Sequence, residues 1–175
     1  WIQYRLALEH SRQGIHDAAI LGFQNVRTNV LEGMVVDILN AARFMQFKNM
    51  LSVKNVKDAE VLLAEMRSEP DVSYLDKALL TMAHDKIERG EKEAAMSVLF
   101  ELRGQPSALE LKGAAILEEI RILVIEQKWL EAKAGYDQWL KDHPQHTKRT
   151  EVLFDRAWVL AQAGQLEMLR RDSKN

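Results

Sequence analysis

The sequence predicts an all-α chain of about five helical hairpins in tandem, and three observations carry that prediction. Turn residues recur at intervals of 36 to 40 positions, at Gly14, Lys54, Gly90, Gln127 and Gly164. Each of the first four is followed at fixed offsets by an alanine and then two bulky residues on the same helical face, a pattern with a period near 3.6. β-Branched residues do not cluster and strict alternation is absent, so no strand pattern competes.

The elements follow in order. In the first unit, residues 1–32, Gly14 reverses the chain, Ala19 permits close approach of the second helix, and Phe23 and Val26 fill the groove. The second unit, 33–70, repeats this with Lys54, Ala59, Leu63 and Met66 and closes at Pro70. It is long around Asn49 to Asn55, which predicts an irregular turn there. The third, 71–106, uses Gly90, Ala95, Leu99 and Leu102 and closes at Pro106. The fourth, 107–145, opens on Ser107-Ala108-Leu109-Glu110, a capping-box pattern, and continues through Gln127, Ala132, Tyr136 and Trp139 to Pro144. The fifth, 146–175, turns at Gly164 but carries Leu169 where the others have alanine, so its second helix is expected to be cut or half-formed.

Composition bounds the chemistry. The 175 residues include no cysteine, three prolines and eight glycines, which removes disulfides, thiolate metal sites and thiol catalysis, and excludes linker or collagen sequence. A net charge of −2 provides no general attraction to nucleic acid or anionic lipid. The most apolar run, Ile116 to Ile125, is interrupted by Glu118, Glu119 and Arg121, so no membrane insertion is expected. Trp1-Ile2-Gln3-Tyr4 reads as the middle of a helix, with no initiator methionine or signal pattern, so the chain is taken as a fragment of a longer one.

These residues carry a resemblance. Gln127-Lys128-Trp129-Leu130-Glu131-Ala132, with Tyr136, Trp139 and Pro144, resembles the second helix of a tetratricopeptide repeat. Arg12-Gln13-Gly14-Ile15-His16-Asp17-Ala18-Ala19 and Arg89-Gly90-Glu91-Lys92-Glu93-Ala94-Ala95 resemble its turn-and-alanine portion. The small residue of the first helix is present as Ala7, Ala83 and Ala157, but the second unit has Phe47 there and the fourth Ile120. The resemblance implies a right-handed α-solenoid, degenerate in sequence. Its last two units, from Trp129 through Trp158, are most similar to bacterial envelope scaffolds of outer-membrane, cell-wall and exopolysaccharide systems. That slightly favours periplasm or cell envelope over cytoplasm, with the compartment left open.

No pattern argues for catalysis or a cofactor. Among His10, His16, His84, His143 and His146, only His143-Pro144-Gln145-His146 approaches metal-ligand spacing, and nothing nearby completes a coordination sphere. The plainer reading is a polar loop between units, with His10 and His16 as surface or packing residues. Glu118/Glu119 and Glu91/Glu93 read as solvated helix faces instead of acid–base pairs. Lys148-Arg149 and Arg170-Arg171 are isolated basic clusters beside acidic residues, without a regular base-reading position in each repeat, so no nucleic-acid partner is expected.

The repeat register implied by the resemblance places Tyr4, Leu8, Phe44, Lys48, Lys77, Leu80, His84, Leu117, Arg121, Phe154 and Trp158 on the concave face, as a partner-binding groove. Its aromatic floor with Lys48, His84 and Arg121 suits an extended or helical peptide carrying acidic groups. Each aromatic is equally a candidate for core or for packing against a missing helix. The leading expectation is therefore a non-enzymatic scaffold binding a protein partner. The alternatives are the helical section of a larger envelope enzyme or polysaccharide-export protein, with Tyr4, Phe154 and Trp158 stacking on sugars, or a homo-oligomerising scaffold.

Overall fold

The computed structural model describes the backbone of residues 1–29, 36–68 and 72–172, and the side chains of these except 72–73 and 165–172. Among the described residues there are nine α-helices and no strand: α1 (Ile2–Arg12), α2 (His16–Thr28), α3 (Val36–Ser52), α4 (Val56–Arg67), α5 (Val72–Glu88), α6 (Lys92–Gly104), α7 (Leu109–Ile125), α8 (Trp129–Asp142) and α9 (Arg149–Asp172). None of them is long and apolar enough to cross a membrane. Pro70, Leu169, Arg170 and Arg171 lie outside the described side chains.

Four turns share one hydrogen-bonded geometry. Gly14 and Gly90 take φ of 74° and 77°, and Lys54 and Gln127 take 61° and 57° despite their side chains. In each turn the next amide, from Ile15, Asn55, Glu91 or Lys128, donates to the carbonyl of His10, Met50, Lys86 or Leu123 at 2.8–2.9 Å. The turn residue's own amide donates to Ser11, Leu51, Ile87 or Val124 at 2.9–3.2 Å. This is a Schellman ending, in which two otherwise orphaned carbonyls of the outgoing helix find donors. The residue after the turn then caps the following helix, and its carbonyl accepts from Ala19, Ala59, Ala95 or Ala132.

Those four alanines are fully buried, and Phe23, Val26, Leu63, Met66, Leu99, Leu102, Tyr136 and Trp139 are buried with them. The fixed offsets in the sequence thus correspond to one docking register of the second helix. The irregular turn expected around Lys54 is not formed. The extra residues of that unit fall before α3, and Lys54 closes the same bonds as its glycine counterparts.

Two further expectations are corrected. Gly164 does not turn the chain: α9, the ninth helix among the described residues, runs through it as a single helix of 24 residues. With Leu169 in place of the docking alanine, the sequence offers no close-packing second helix for a reversal there. The capping box at Ser107 is not formed either. Ala108 is the N-cap of α7 without a side-chain bond, while Glu110 is drawn away by the Thr147 hydroxyl.

The chain divides into two compact units, Trp1–Asp85 and Lys86–Asn175, with the boundary inside α5. In the first, α1, α2 and α3 pack around Ala7, Ala19, Phe23, Val26 and Ala42. Helix α3 buries Asn40, Gln46 and Asn49 along with its apolar residues, while Lys48 stays exposed. Its polar side chains are tied to neighbours. The His16 ring bonds Asn49 Oδ1 at 2.7 Å, Asn49 Nδ2 donates to the Met45 carbonyl at 2.7 Å, and Arg27 donates to Gln46 at 2.7 Å and to Glu65 at 2.6 Å. Buried polar groups are tolerated when they are bonded in this way.

In the second unit, α7, α8 and α9 close around Trp139, with Ile120, Ala132, Tyr136, Val152 and Val159. Burial pushes the Tyr136 phenol up to about 12. Asp137 on α8 accepts from Lys133 and from Arg156 of α9, and these bonds hold its carboxyl below the usual range.

Candidate functional site

The face formed by α1, α3 and α5 in the first unit gathers aromatic rings beside lysines. Tyr4 is half-buried, edge-on to Phe23 with centroids 5.8 Å apart, and stacks with the exposed Trp1 at 6.0 Å. Phe44 on α3 lies 6.2 Å from Tyr74 on α5, and the Lys77 ammonium stands 5.0 Å over the Tyr74 ring. Burial first, and the Tyr74 phenol second, raise the Tyr4 phenol above its ordinary value. Lys48 and His84 are exposed, and Leu8 and Leu80 are half-buried between the polar positions. The Phe44, Tyr74 and Lys77 side chains are thus held against one another on this face.

Tyr74 was not among the residues singled out from sequence. Its signal was available: it sits three residues before Lys77, the spacing that brings side chains together on one helix face.

In the second unit the predicted positions divide. Leu117 packs against the core cluster and is half-buried. Arg121 binds Glu88 and stands 3.5 Å from Glu118, so two carboxylates already balance its charge and an acidic ligand gains little there. Phe154 and Trp158 on α9 are exposed, and Trp158 meets Trp129 edge-on at 5.6 Å.

The segment read as a polar loop is polar in sequence but not in location. His143 and His146 are both buried, with ring centroids 5.3 and 4.9 Å from Trp139. Trp139 Nε1 donates to the Gly113 carbonyl at 2.8 Å, and a Cβ at Gly113 would stand 2.7 Å from the His146 ring. Glycine is therefore required at 113 for the imidazoles to reach α7. His146 Nε2 donates to the Glu110 carbonyl at 3.0 Å while Nδ1 accepts from the Lys148 amide at 3.1 Å, which sets the tautomer. The Thr147 hydroxyl, with the nearby imidazoles, holds the Glu110 carboxyl below its usual range against the opposing effect of desolvation. A recess of about 410 Å³ opens beside this clasp, walled by Leu109, Glu110, Asp142 and Pro144. Sequence reasoning missed the clasp because nothing local marks Gly113 as its seat.

Among the described residues no three His, Asp or Glu side chains come together as a metal-binding group. No protein-family model matches the chain, and comparisons with curated proteins and with solved structures likewise find no match.

Proposed function

We propose that the chain is a non-enzymatic scaffold of tetratricopeptide-like hairpins, stacked as a right-handed solenoid, that binds a segment of a partner protein. The observation that supports this reading is the strip formed by Tyr4, Phe44 and Tyr74 with Lys77 and Lys48 on the α1–α3–α5 face. The rings offer apolar anchors of the kind that dominate protein interfaces, and the lysines select acidic neighbours in the bound segment. Because Tyr4 and Tyr74 are held by Phe23 and Phe44, little side-chain freedom is lost when a ligand docks.

The test is selection of a random peptide library on the wild-type chain and on a Lys48→Glu, Lys77→Glu double variant. Wild type is expected to enrich peptides with acidic residues next to large apolar ones, and the variant to lose that enrichment with its helical circular dichroism unchanged. Equal enrichment by both forms, or none by wild type, would overturn the proposal.

A further inference from the structure

One imidazole of the second unit touches two helices at once. His146 is buried, and its Nε2–H donates to the Glu110 carbonyl in the first turn of α7 at 3.0 Å. Its Nδ1 accepts from the Lys148 amide at 3.1 Å. Lys148 flanks α9, and its carbonyl accepts from the Val152 amide at 3.0 Å, so the ring holds the residue from which that helix starts. An imidazole donates at one nitrogen and accepts at the other only while it carries a single ring proton. A second proton turns Nδ1 into a donor facing the Lys148 N–H, and that bond is lost.

A replacement acceptor already stands beside the ring, since Glu110 Oε1 is 3.5 Å from His146 Nδ1. The Thr147 hydroxyl, ahead of any other effect, holds the Glu110 carboxyl below its usual range, so it is ionised when an imidazole gains a proton. The remaining charged groups around the clasp are engaged elsewhere. At the end of α8, Asp142 accepts from the Gln138 amide at 2.7 Å. At the start of α9, Arg149 donates to the Leu140 carbonyl at 2.9 Å, and the Lys148 charge acts on Asp155. His143 does not duplicate the arrangement. Its Nδ1 is buried without a hydrogen bond, 3.2 Å from where a Cβ at Gly113 would stand, so a proton there has no acceptor in place.

We propose that His146 is a proton-operated coupler between α7 and α9. With one ring proton it ties the first turn of α7 to the start of α9. With two, both of its N–H groups serve Glu110, one at the carbonyl and one at the carboxylate, and the start of α9 is let go. An ion pair thereby replaces a neutral bond. The proton comes from solvent through the recess that the ring lines. Imidazole is the side chain that ordinarily changes charge between about pH 5 and 8, so mild acid is the signal. The start of α9 then keeps its backbone bond from the Arg149 amide to the His146 carbonyl at 3.0 Å and the Arg149 side-chain bond to Leu140. Leu109 and Glu110 wall the recess from α7, and Pro144 and Gln145 from the segment before α9, so the same proton changes how firmly its two walls are joined.

Nitrogen NMR of the full 175-residue chain between about pH 8 and about pH 5 tests this. The His146 ring is expected to show one bare nitrogen at the upper end and two protonated ones at the lower. The Lys148 amide signal is expected to move with the same midpoint. Hydrogen exchange at Lys148, corrected for its intrinsic dependence on pH, should quicken about tenfold across that midpoint. The Trp139 indole N–H, bonded to Gly113, should hold steady. Glu110→Gln keeps an oxygen beside Nδ1 but removes its charge, and should lower the pH at which the Lys148 amide moves, with circular dichroism unchanged. A Lys148 amide that stays in place while His146 gains its proton, or that follows the His143 ring instead, would overturn the inference. So would a His146 ring that keeps one proton down to about pH 5, or a Glu110→Gln midpoint equal to that of wild type.

Discussion

Helices α3 and α9 invert each other's chemistry. Helix α3 buries Asn40, Gln46 and Asn49, while α9 leaves Leu153, Phe154, Trp158 and Leu160 in solvent. On polarity alone the two would be assigned opposite environments. The difference teaches that burial in this chain follows which neighbours a helix has, and side-chain chemistry then adapts to it. A polar residue in a central helix acquires a bonded partner, as Gln46 does from Arg27 and Asn49 from His16. An apolar residue on a helix with no covering neighbour has no such remedy within the described residues.

The contrast can be broken by mutation, starting where the largest effect is expected. Gln46→Leu raises hydrophobicity inside the first unit yet removes the acceptor of Arg27 Nη1, and should cost about 1–3 kcal/mol in urea unfolding. An unchanged or raised midpoint would show that the buried polar tie contributes nothing. Next, Gln127→Gly relieves a left-handed backbone at a turn whose bonds are otherwise identical to those at Gly14 and Gly90, and should stabilise by about 1 kcal/mol. A loss of stability there would mean that the Gln127 side chain matters more than its φ. Smallest of all, Leu153→Ser on the open side of α9 should change the stability of the chain by no more than about 0.5 kcal/mol. A thermal shift corresponding to 2 kcal/mol or so would show that Leu153 already has a partner within the chain.

Much of the fold was legible from spacing because a hairpin constrains several positions at once. Lys54 and Gln127 could be aligned with Gly14 and Gly90 by their alanines, and all four turns close the same bonds. The register failed where one residue had to decide alone. Glycine at 164 is compatible with a turn, yet a single glycine in a helix costs only about 1 kcal/mol, and α9 continues through it. Ser107 has the letters of a capping box, but Glu110 finds Thr147 and the histidines at closer quarters.

The candidate site was legible in part for a related reason. The spacing of Tyr74 from Lys77 places it on the same helix face, but its ring contact with Phe44 is seen only in the structure. The ion pairing of Arg121 was likewise hidden, since Glu88 is remote in sequence and adjacent in space. The His143–His146 clasp depends on Gly113, 30 or more residues away, and has no local signature at all.

Consecutive packing also sets how the molecule comes apart and reassembles. Among the described residues, strong contacts join α1 to α2, α2 to α3, α3 to α4, α6 to α7, α7 to α8 and α8 to α9, with a smaller contact of α1 with α3. Little loop entropy has to be surrendered before such contacts form, so refolding should be quick and its order set by local stability. Helix α9 is secured along one side, and amide hydrogens there should exchange with solvent before those of α3, which packs against α1, α2 and α4.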